Sequence, residues 1–311
     1  KVPTVEALRK AAPVDGEPVR LEMDLEVTTE KQKEGSEEKP TRYSTYKKSS
    51  PNTPKLLYIA VATDADAKLG EGVTVEPFAY IEADVVIGDG SWIGPHASVM
   101  SGTRMGKNCK VHSGAVIGGV PQDLKFHGEY TTCEIGDNNT FRECCTVNRG
   151  TDAKGKTVMG NNNLVMAYAH IAHDCIIGNN CVIVNNVSLA GEVELGNFVV
   201  FGGHSGAHQF SRIGDHAMIA ANTYVNKDVP PYVKAAHTPI TYVGANFLGL
   251  RRRGFSNEEI KQIQDIFRVL FQDGHTYSMA CDIVMAQFPE SEIRDQVVEF
   301  IRSSKRGILK P

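Results

Sequence analysis

Leu69, Val75, Ile81, Ile87, Ile93, Val99, Met105, Val111 and Ile117 stand at every sixth position of the chain. The same phase returns at Ile135, Phe141 and Val147. It returns again from Met159 through Val165, Ile171, Ile177, Ile183, Leu189, Leu195, Phe201, Ala207, Ile213 and Ile219 to Val225. Gly often follows the apolar residue, as in Ile87-Gly88, Ile135-Gly136, Ile177-Gly178 and Leu195-Gly196, and Asn and Asp gather beside it. Short extended runs separated by residues that tolerate positive φ read as strand, corner, strand. A period of six is too short for a repeat containing a helix and suits a parallel β-helix. Three hexads close one triangular coil of 18 residues, with every sixth side chain stacked inside. An ordinary β-sandwich requires period-two alternation and drifting spacing, which this chain lacks.

Two segments break the repeat without breaking its phase. Gly118–Glu134 (GGVPQDLKFHGEYTTCE) carries Pro, Lys, His and acidic groups that cannot face the interior, so 118–134 is expected to loop outward. Residues 151–157 (TDAKGKT) form a smaller excursion. Loops on a rigid scaffold are where binding groups collect. Residues 1–55 lack the hexad and form a polar N-terminal extension, in which Val19, Leu21, Met23, Leu25 and Val27 alternate as one half-buried strand and Thr41–Tyr46 is a candidate second. After Pro230-Pro231 the pattern turns helical. Ser256-Asn-Glu-Glu259 is a capping box, and Ile260, Ile263, Ile266, Phe267, Leu270 and Phe271 follow at helical spacing, with further helices expected over about 276–288 and 290–304. The division is therefore 1–55 extension, 56–235 β-helix and 236–311 helical domain.

Composition narrows the class. The 311 residues carry 33 Lys+Arg against 37 Asp+Glu, a net charge of −4, so nothing global points to nucleic acid. No stretch approaches the ~18–20 apolar residues of a membrane span. Seven Cys without CxxC spacing indicate neither a disulfide framework nor a Cys-rich zinc site. They read as buried free thiols of a reducing compartment, which places the protein in the cytoplasm.

The chemistry gathers in one stretch. Positions 18 apart lie above one another at about 4.8 Å, the spacing of neighbouring strands. His173, Gly191 and Gln209 make one column; His170, Ser188 and Gly206 a second; Tyr168, Asn186 and His204 a third. His173 beside Asp174, as a solvent-exposed imidazole, can act as a general base oriented by the carboxylate. One coil on, Gly191 offers a backbone N–H without side-chain obstruction, as an oxyanion site requires. Singly, each of these reads more readily as a plain corner residue and a turn. Zinc needs three converging ligand nitrogens at ~2.0–2.1 Å. The His spacings 170/173 and 204/208 do not match the paired ligands of β-helix carbonic anhydrases, so no metal is expected.

Over about residues 56–311 the chain resembles the acyl-[acyl-carrier-protein]–UDP-N-acetylglucosamine O-acyltransferases, which carry out the first acylation of lipid A synthesis. The resemblance rests on Pro121-Gln-Asp-Leu-Lys-Phe126, Asn148-Arg-Gly150, His170-Ile-Ala-His-Asp174, Ala207-His-Gln-Phe210, Asp228-Val-Pro-Pro-Tyr232, Arg252-Arg-Gly-Phe255 and Arg306-Gly307. It implies a left-handed β-helix with a C-terminal helical domain, assembled as a homotrimer with sites between subunits. It implies that His173, supported by Asp174, takes the proton of the sugar 3-hydroxyl, which attacks the thioester of a 3-hydroxyacyl chain on acyl carrier protein. Gly191 N–H then holds the oxyanion. No metal, covalent intermediate or resident cofactor is implied, since the acyl-phosphopantetheine arrives on the carrier.

By the same resemblance Gln122, Asp123, Lys125, His170, His208 and Gln209 contact substrate. Asn246, Arg252 and Arg253 meet the nucleotide or donor from the other side, where an Arg fork suits diphosphate and Arg251-Arg-Arg253 suits an acidic carrier protein. Met218 and Ala221 are candidates for the far end of the acyl groove. The sequence departs from the family pattern at Glu192, where a His is usual, and at Leu248, where an acidic residue is usual. These departures leave open whether the acceptor is the 3-hydroxyl or a 3-amino nucleotide sugar. Two other readings of the repeat are the related N-acyltransferase, whose separate N-terminal uridine-binding domain residues 1–55 are too short and polar to supply, and a non-catalytic β-helix that only binds acyl carrier protein.

Overall fold

The computed structural model describes residues 20–21, 42–46, 61–64 and 66–311. Its strands fall into three sheets of eleven, eight and ten among the described residues, and from Val61–Thr63 to Tyr224–Val225 each successive strand joins the next sheet. The chain thus winds round a triangular prism. His170–Ile171, Ser188–Leu189 and Gly206–Ala207 lie on one face; Ile176–Ile177, Glu194–Leu195 and Arg212–Ile213 on a second; Val182–Ile183, Val200–Phe201 and Met218–Ile219 on a third. Pairing is parallel with partners eighteen apart, as in His170↔Ser188↔Gly206, so the predicted columns are the real ones.

In two-residue strands such as Ile176–Ile177 and Val182–Ile183 the sixth-position residue is buried and its neighbour faces outward. Ile171, Ile183, Leu189 and Phe201 are wholly buried, stacked coil upon coil, and removing each from water favours the wound state by about 1.5–3 kcal/mol. The corners need positive φ once per hexad. Asn108, Asn138, Asn162, Asn180, Asn186 and Asn222 supply it, because a short polar side chain tolerates the left-handed region best after Gly.

A corner leaves one N–H turned away from the strand ladder, and side chains meet it. The N–H of Glu71, Lys107, Asp137, Asn161, Asn179 and Asn197 each donates to an Asp or Asn oxygen one coil on, all on the edge between the second and third faces. A second ladder runs inside. Asn163 N–H donates to Asn139 Oδ1, Asn163 Nδ2 donates to Gly178 O, and Cys181 N–H donates to Asn163 Oδ1.

Both interruptions appear as shifts in pairing. At the first, partners stand thirty apart (Lys110↔Thr140, Val116↔Thr146), and at the second twenty-four (Thr140↔Leu164, Thr146↔His170). Strand pairing runs on to Gly119 and begins again at Thr132, so the outward segment is 120–131 rather than the expected 118–134. The added hydrogen bonds pair these flanks with the neighbouring coils.

The turn to helix expected after Pro231 comes later. Val233–Ala236 first pairs in parallel with Met218–Ile219, and Thr241–Ala245 pairs back antiparallel, closing the third face. Four helices follow: α1 Phe247–Arg252, α2 Asn257–Phe271, α3 Tyr277–Gln287 and α4 Glu292–Arg302. The capping box at α2 is present, with Glu259 N–H donating to Ser256 Oγ and Ser256 N–H to Glu259 Oε2. The tail after α4 returns to the prism, where Asp228 N–H donates to Gly307 O and Leu309 N–H to Asp228 O.

At the other end Arg42–Tyr46 pairs antiparallel with Val61–Thr63 and with Arg20–Leu21, covering the first face's leading edge. The remainder of the strand expected over 19–27, and most of the 1–55 extension, lie outside the described residues. No described helix is long and apolar enough to cross a membrane.

Candidate active site

The corner between the first and second faces brings His173, Asp174 and Gly191 together. Ala172 N–H donates to Leu189 O and Glu192 N–H to His173 O, so the Gly191 corner rests directly on the His173 corner. A Cβ at Gly191 would lie 2.5 Å from His173 Cε1 and 2.6 Å from Nε2, so the imidazole occupies the space that any other residue would fill. Glycine is required here by close approach; its φ lies outside the left-handed region.

The expectation of a solvent-exposed imidazole is corrected. His173 is only 9% exposed, because its ring packs against Gly191 and next to Asp123 of the outward loop. No described group accepts the Gly191 N–H, whereas the equivalent N–H on the edge between the second and third faces is met by a ladder oxygen. The His173 column has no Asn or Asp at that position, only His173, Gly191 and Gln209.

His173 Nδ1 is 2.8 Å from Asp174 Oδ2. The carboxylate is wholly buried and accepts two further bonds, from Thr151 N–H at 2.9 Å to Oδ1 and from Thr151 Oγ1 at 2.6 Å to Oδ2. Thr151 gives the carboxylate two donors, which suits it to accept a third hydrogen bond from Nδ1–H, and in that tautomer Nε2 carries the lone pair. Asp174 N–H in turn donates to Thr157 Oγ1 at 2.8 Å.

Asp123 Oδ2 stands 3.7 Å from His173 Nε2, too far for a direct hydrogen bond. Lys125 N–H donates to Asp123 Oδ1, an Asx turn that fixes the carboxylate on its loop. The loop is pinned at its middle and near its C-terminal end. Arg149 lies over the Phe126 ring at 5.6 Å and donates to Ser101 O, and Tyr130 OH donates to Asp84 Oδ2 at 3.0 Å. Gln122 and Lys125 are exposed beside Asp123, and Leu124 between them is 100% exposed.

His170 lies on the first face, its Nδ1 2.7 Å from Thr146 Oγ1, and burial followed by the nearby His173 pushes its pKa down, so it stays neutral. His208 is exposed and Gln209 half-buried, one coil beyond Gly191. The Gln209 carbonyl accepts from Arg306 Nη1 at 3.0 Å, which ties the tail to this corner.

One chain does not bring the remaining candidates to His173. Asn246, Arg252 and Arg253 lie by the edge between the second and third faces. Asn246 is buried as the N-cap of α1, its Oδ1 accepting from Gly249 N–H and its Nδ2 donating to His216 O. Arg253 sits over the Phe198 ring at 5.3 Å, and Arg252 is exposed. Met218 is on the third face and Ala221 exposed on the edge between the third and first faces. Glu192 holds positive φ beside Gly191, and Leu248 is exposed on α1.

Sequence reasoning missed Thr151 and Thr157. The signal was present: they bracket the excursion lying one coil before the His173 corner. Among the described residues no cluster of three His, Cys, Asp or Glu side chains could hold a metal ion.

A buried His–Asp pair against a bare corner amide on a hexapeptide-repeat prism defines a β-helix acyltransferase, and comparison with known proteins agrees. The bacterial transferase hexapeptide model matches residues 84–119 and 156–191, and the model for domain 2 of UDP-N-acetylglucosamine O-acyltransferase matches 228–309. The chain is 42% identical over 261 residues to the acyl-[acyl-carrier-protein]–UDP-N-acetylglucosamine O-acyltransferase of Xanthomonas euvesicatoria pv. vesicatoria, covering 83% of this chain and 99% of that protein. It is 35% identical to the enzyme of the same name from Campylobacter concisus, over 82% and 97% of the two chains. The solved UDP-N-acetylglucosamine acyltransferase of Bacteroides fragilis superposes with a TM-score of 0.79 at 46% identity, over 80% of this chain and 97% of that one. The Acinetobacter baumannii structure does so with 0.78 at 37% identity, over 80% and 97%. The chain therefore belongs to the acyl-[acyl-carrier-protein]–UDP-N-acetylglucosamine O-acyltransferase family, and its prism is the left-handed β-helix of that family.

Proposed function

We propose that this acyltransferase moves a 3-hydroxyacyl chain from acyl carrier protein to the 3-hydroxyl of UDP-N-acetylglucosamine, with His173 as general base. The observation that carries the reading is the imidazole held between Asp174 on Nδ1 and the Gly191 backbone. His173 Nε2 takes the hydroxyl proton as the sugar oxygen attacks the thioester carbonyl, and Asp174 stabilises the imidazolium. The Gly191 N–H, with no partner among the described residues, donates to the oxyanion at no reorganisation cost. As the tetrahedral intermediate collapses, the carbon–sulfur bond breaks and the imidazolium returns its proton to the departing thiolate. Asp123, 3.7 Å from Nε2, frames the point where the acceptor hydroxyl is held.

The prism's flat faces favour a cleft between copies over a pocket within one. Three-fold assembly would set the Asn246, Arg252 and Arg253 edge of one subunit against the His173 edge of the next. Arg252 and Arg253 would then meet the diphosphate or the carrier protein, and Met218 and Ala221 would close the acyl end. No resident cofactor is needed, and the enzyme works in the cytoplasm, where acyl carrier protein is found.

The test is purified protein with 3-hydroxyacyl carrier protein and UDP-N-acetylglucosamine, followed by mass spectrometry of the product and release of carrier thiol. An O-linked ester with stoichiometric thiol supports the proposal. Acylation only of a glucosamine amine would identify the N-acyltransferase, and carrier binding without turnover a scaffold; each would refute it.

A further inference from the structure

Between Phe78 and Asn222, corner residues other than Gly hold positive φ in every coil, and among those described Asp174 is the one that is buried. Glu192 and Phe210, which follow it in the same column, are half-buried and exposed. A residue at this corner position ordinarily points outward, so something particular to this coil covers Asp174.

What covers it is the excursion one coil earlier. The chain passes from the first to the second face between Ile171 and Ile176 in the His173 coil, but between Asn148 and Lys156 in the coil before. The longer crossing places Thr151 and Thr157, both buried, around the Asp174 side chain and amide. Each supplies the group that Asp174 needs. Thr151 gives two donors to the carboxylate, and Thr157 gives an acceptor to the N–H. At its tip, Lys154 is paired with Glu194 on the second face at 3.4 Å, so the crossing is fastened outside as well.

We infer that residues 151–157 are a device for burying and orienting Asp174, and that Thr151 is a positioning residue for acyl transfer. Its two bonds fix the carboxylate so that Oδ2 faces His173 Nδ1, which holds the ring in its Nδ1–H form with the Nε2 lone pair toward the acceptor. Without that lock the ring relaxes toward the Nε2–H form, which an unrestrained imidazole favours and which cannot accept the substrate proton. The inference rests on His173 being the base.

The experiment reads tautomer and turnover separately. In 15N-histidine-labelled wild-type protein, at a pH where the ring is neutral, the His173 nitrogen shifts report the proton on Nδ1. Thr151→Val moves that signal toward Nε2–H and lowers kcat about tenfold, with KM for UDP-N-acetylglucosamine within about twofold of wild type. Thr151→Ser restores both readouts. Should the valine variant fold poorly, Thr151→Ala removes the same hydroxyl without crowding and gives the same shift. A hydroxyl-free variant that keeps the Nδ1–H signal and a kcat within about twofold of wild type overturns the inference. Full turnover by His173→Ala would instead remove the base assignment, and it is read without reference to the Thr151 spectra.

Discussion

At the scale of single residues, the site is a matter of who occupies which side of one imidazole. Gly191→Ala inserts a methyl 2.5 Å from His173 Cε1, so the ring must leave its seat. We expect kcat to fall about 10²–10³-fold in steady-state assays, with the melting temperature within a few degrees of wild type. Asp174→Asn is more specific. The Thr151 N–H claims the amide oxygen at the Oδ1 position, which leaves the NH2 facing both His173 Nδ1 and the Thr151 hydroxyl and forces the ring proton onto Nε2. The expected loss is about 10²–10⁴-fold with nucleotide binding retained by calorimetry. His216 gives a pH prediction. Burial, and then the Arg253 charge, bring its pKa down from 6.5 to about 4, with Phe198 stacked at 4.8 Å. Between these two values the unfolded chain binds more protons than the folded one, so stability rises with pH across that window and is lost on acidification. Melts at pH 7 and pH 5 should show a smaller drop for His216→Phe than for wild type. His173, Asp174 and Gly191 were legible because column arithmetic holds over residues 168–225, where no interruption intervenes. Thr151 was not. The excursion that carries it breaks the hexads visibly, but an insertion of six keeps the interior phase and does not say which of its residues stack on Asp174.

At the scale of elements, the strands are too short to hold themselves, and the ladders between coils carry the corners. Asn163 is buried and its side chain serves two backbone groups along the axis. Asn163→Ala leaves Cys181 N–H and Gly178 O without their side-chain partner inside the prism, and each such group costs about 1–3 kcal/mol. Chemical denaturation should show a loss of that order, whereas Asn161→Ala on the exposed outer ladder should cost less than about 1 kcal/mol. The hexad strands and the α2 capping box were readable, since each is written in a local repeat or a four-residue motif. The hairpin Val233–Ala245 was not, because Pro230-Pro231 ended the hexads two residues before the chain paired once more with Met218–Ile219. Short α1 also escaped notice, since its start depends on Asn246 bonding to Gly249 N–H rather than on an apolar stripe.

At the scale of the molecule, one prism holds half of the proposed site on one edge and the other half on another. Three-fold assembly predicts that inactive chains complement each other. His173→Ala and Arg253→Ala protomers, mixed and reassembled, should recover about a quarter of wild-type activity, since that share of random interfaces is intact. Whether subunits meet was not a question the hexads could answer, because an outward side chain reads the same facing water or a neighbour. What the whole molecule does nevertheless comes down to one ring. The rate of acyl transfer by His173→Ala, measured at saturating 3-hydroxyacyl carrier protein and UDP-N-acetylglucosamine, should lie about 10²–10⁴-fold below wild type with the assembly state and nucleotide affinity preserved. A rate within a few-fold of wild type would mean that another group takes the proton.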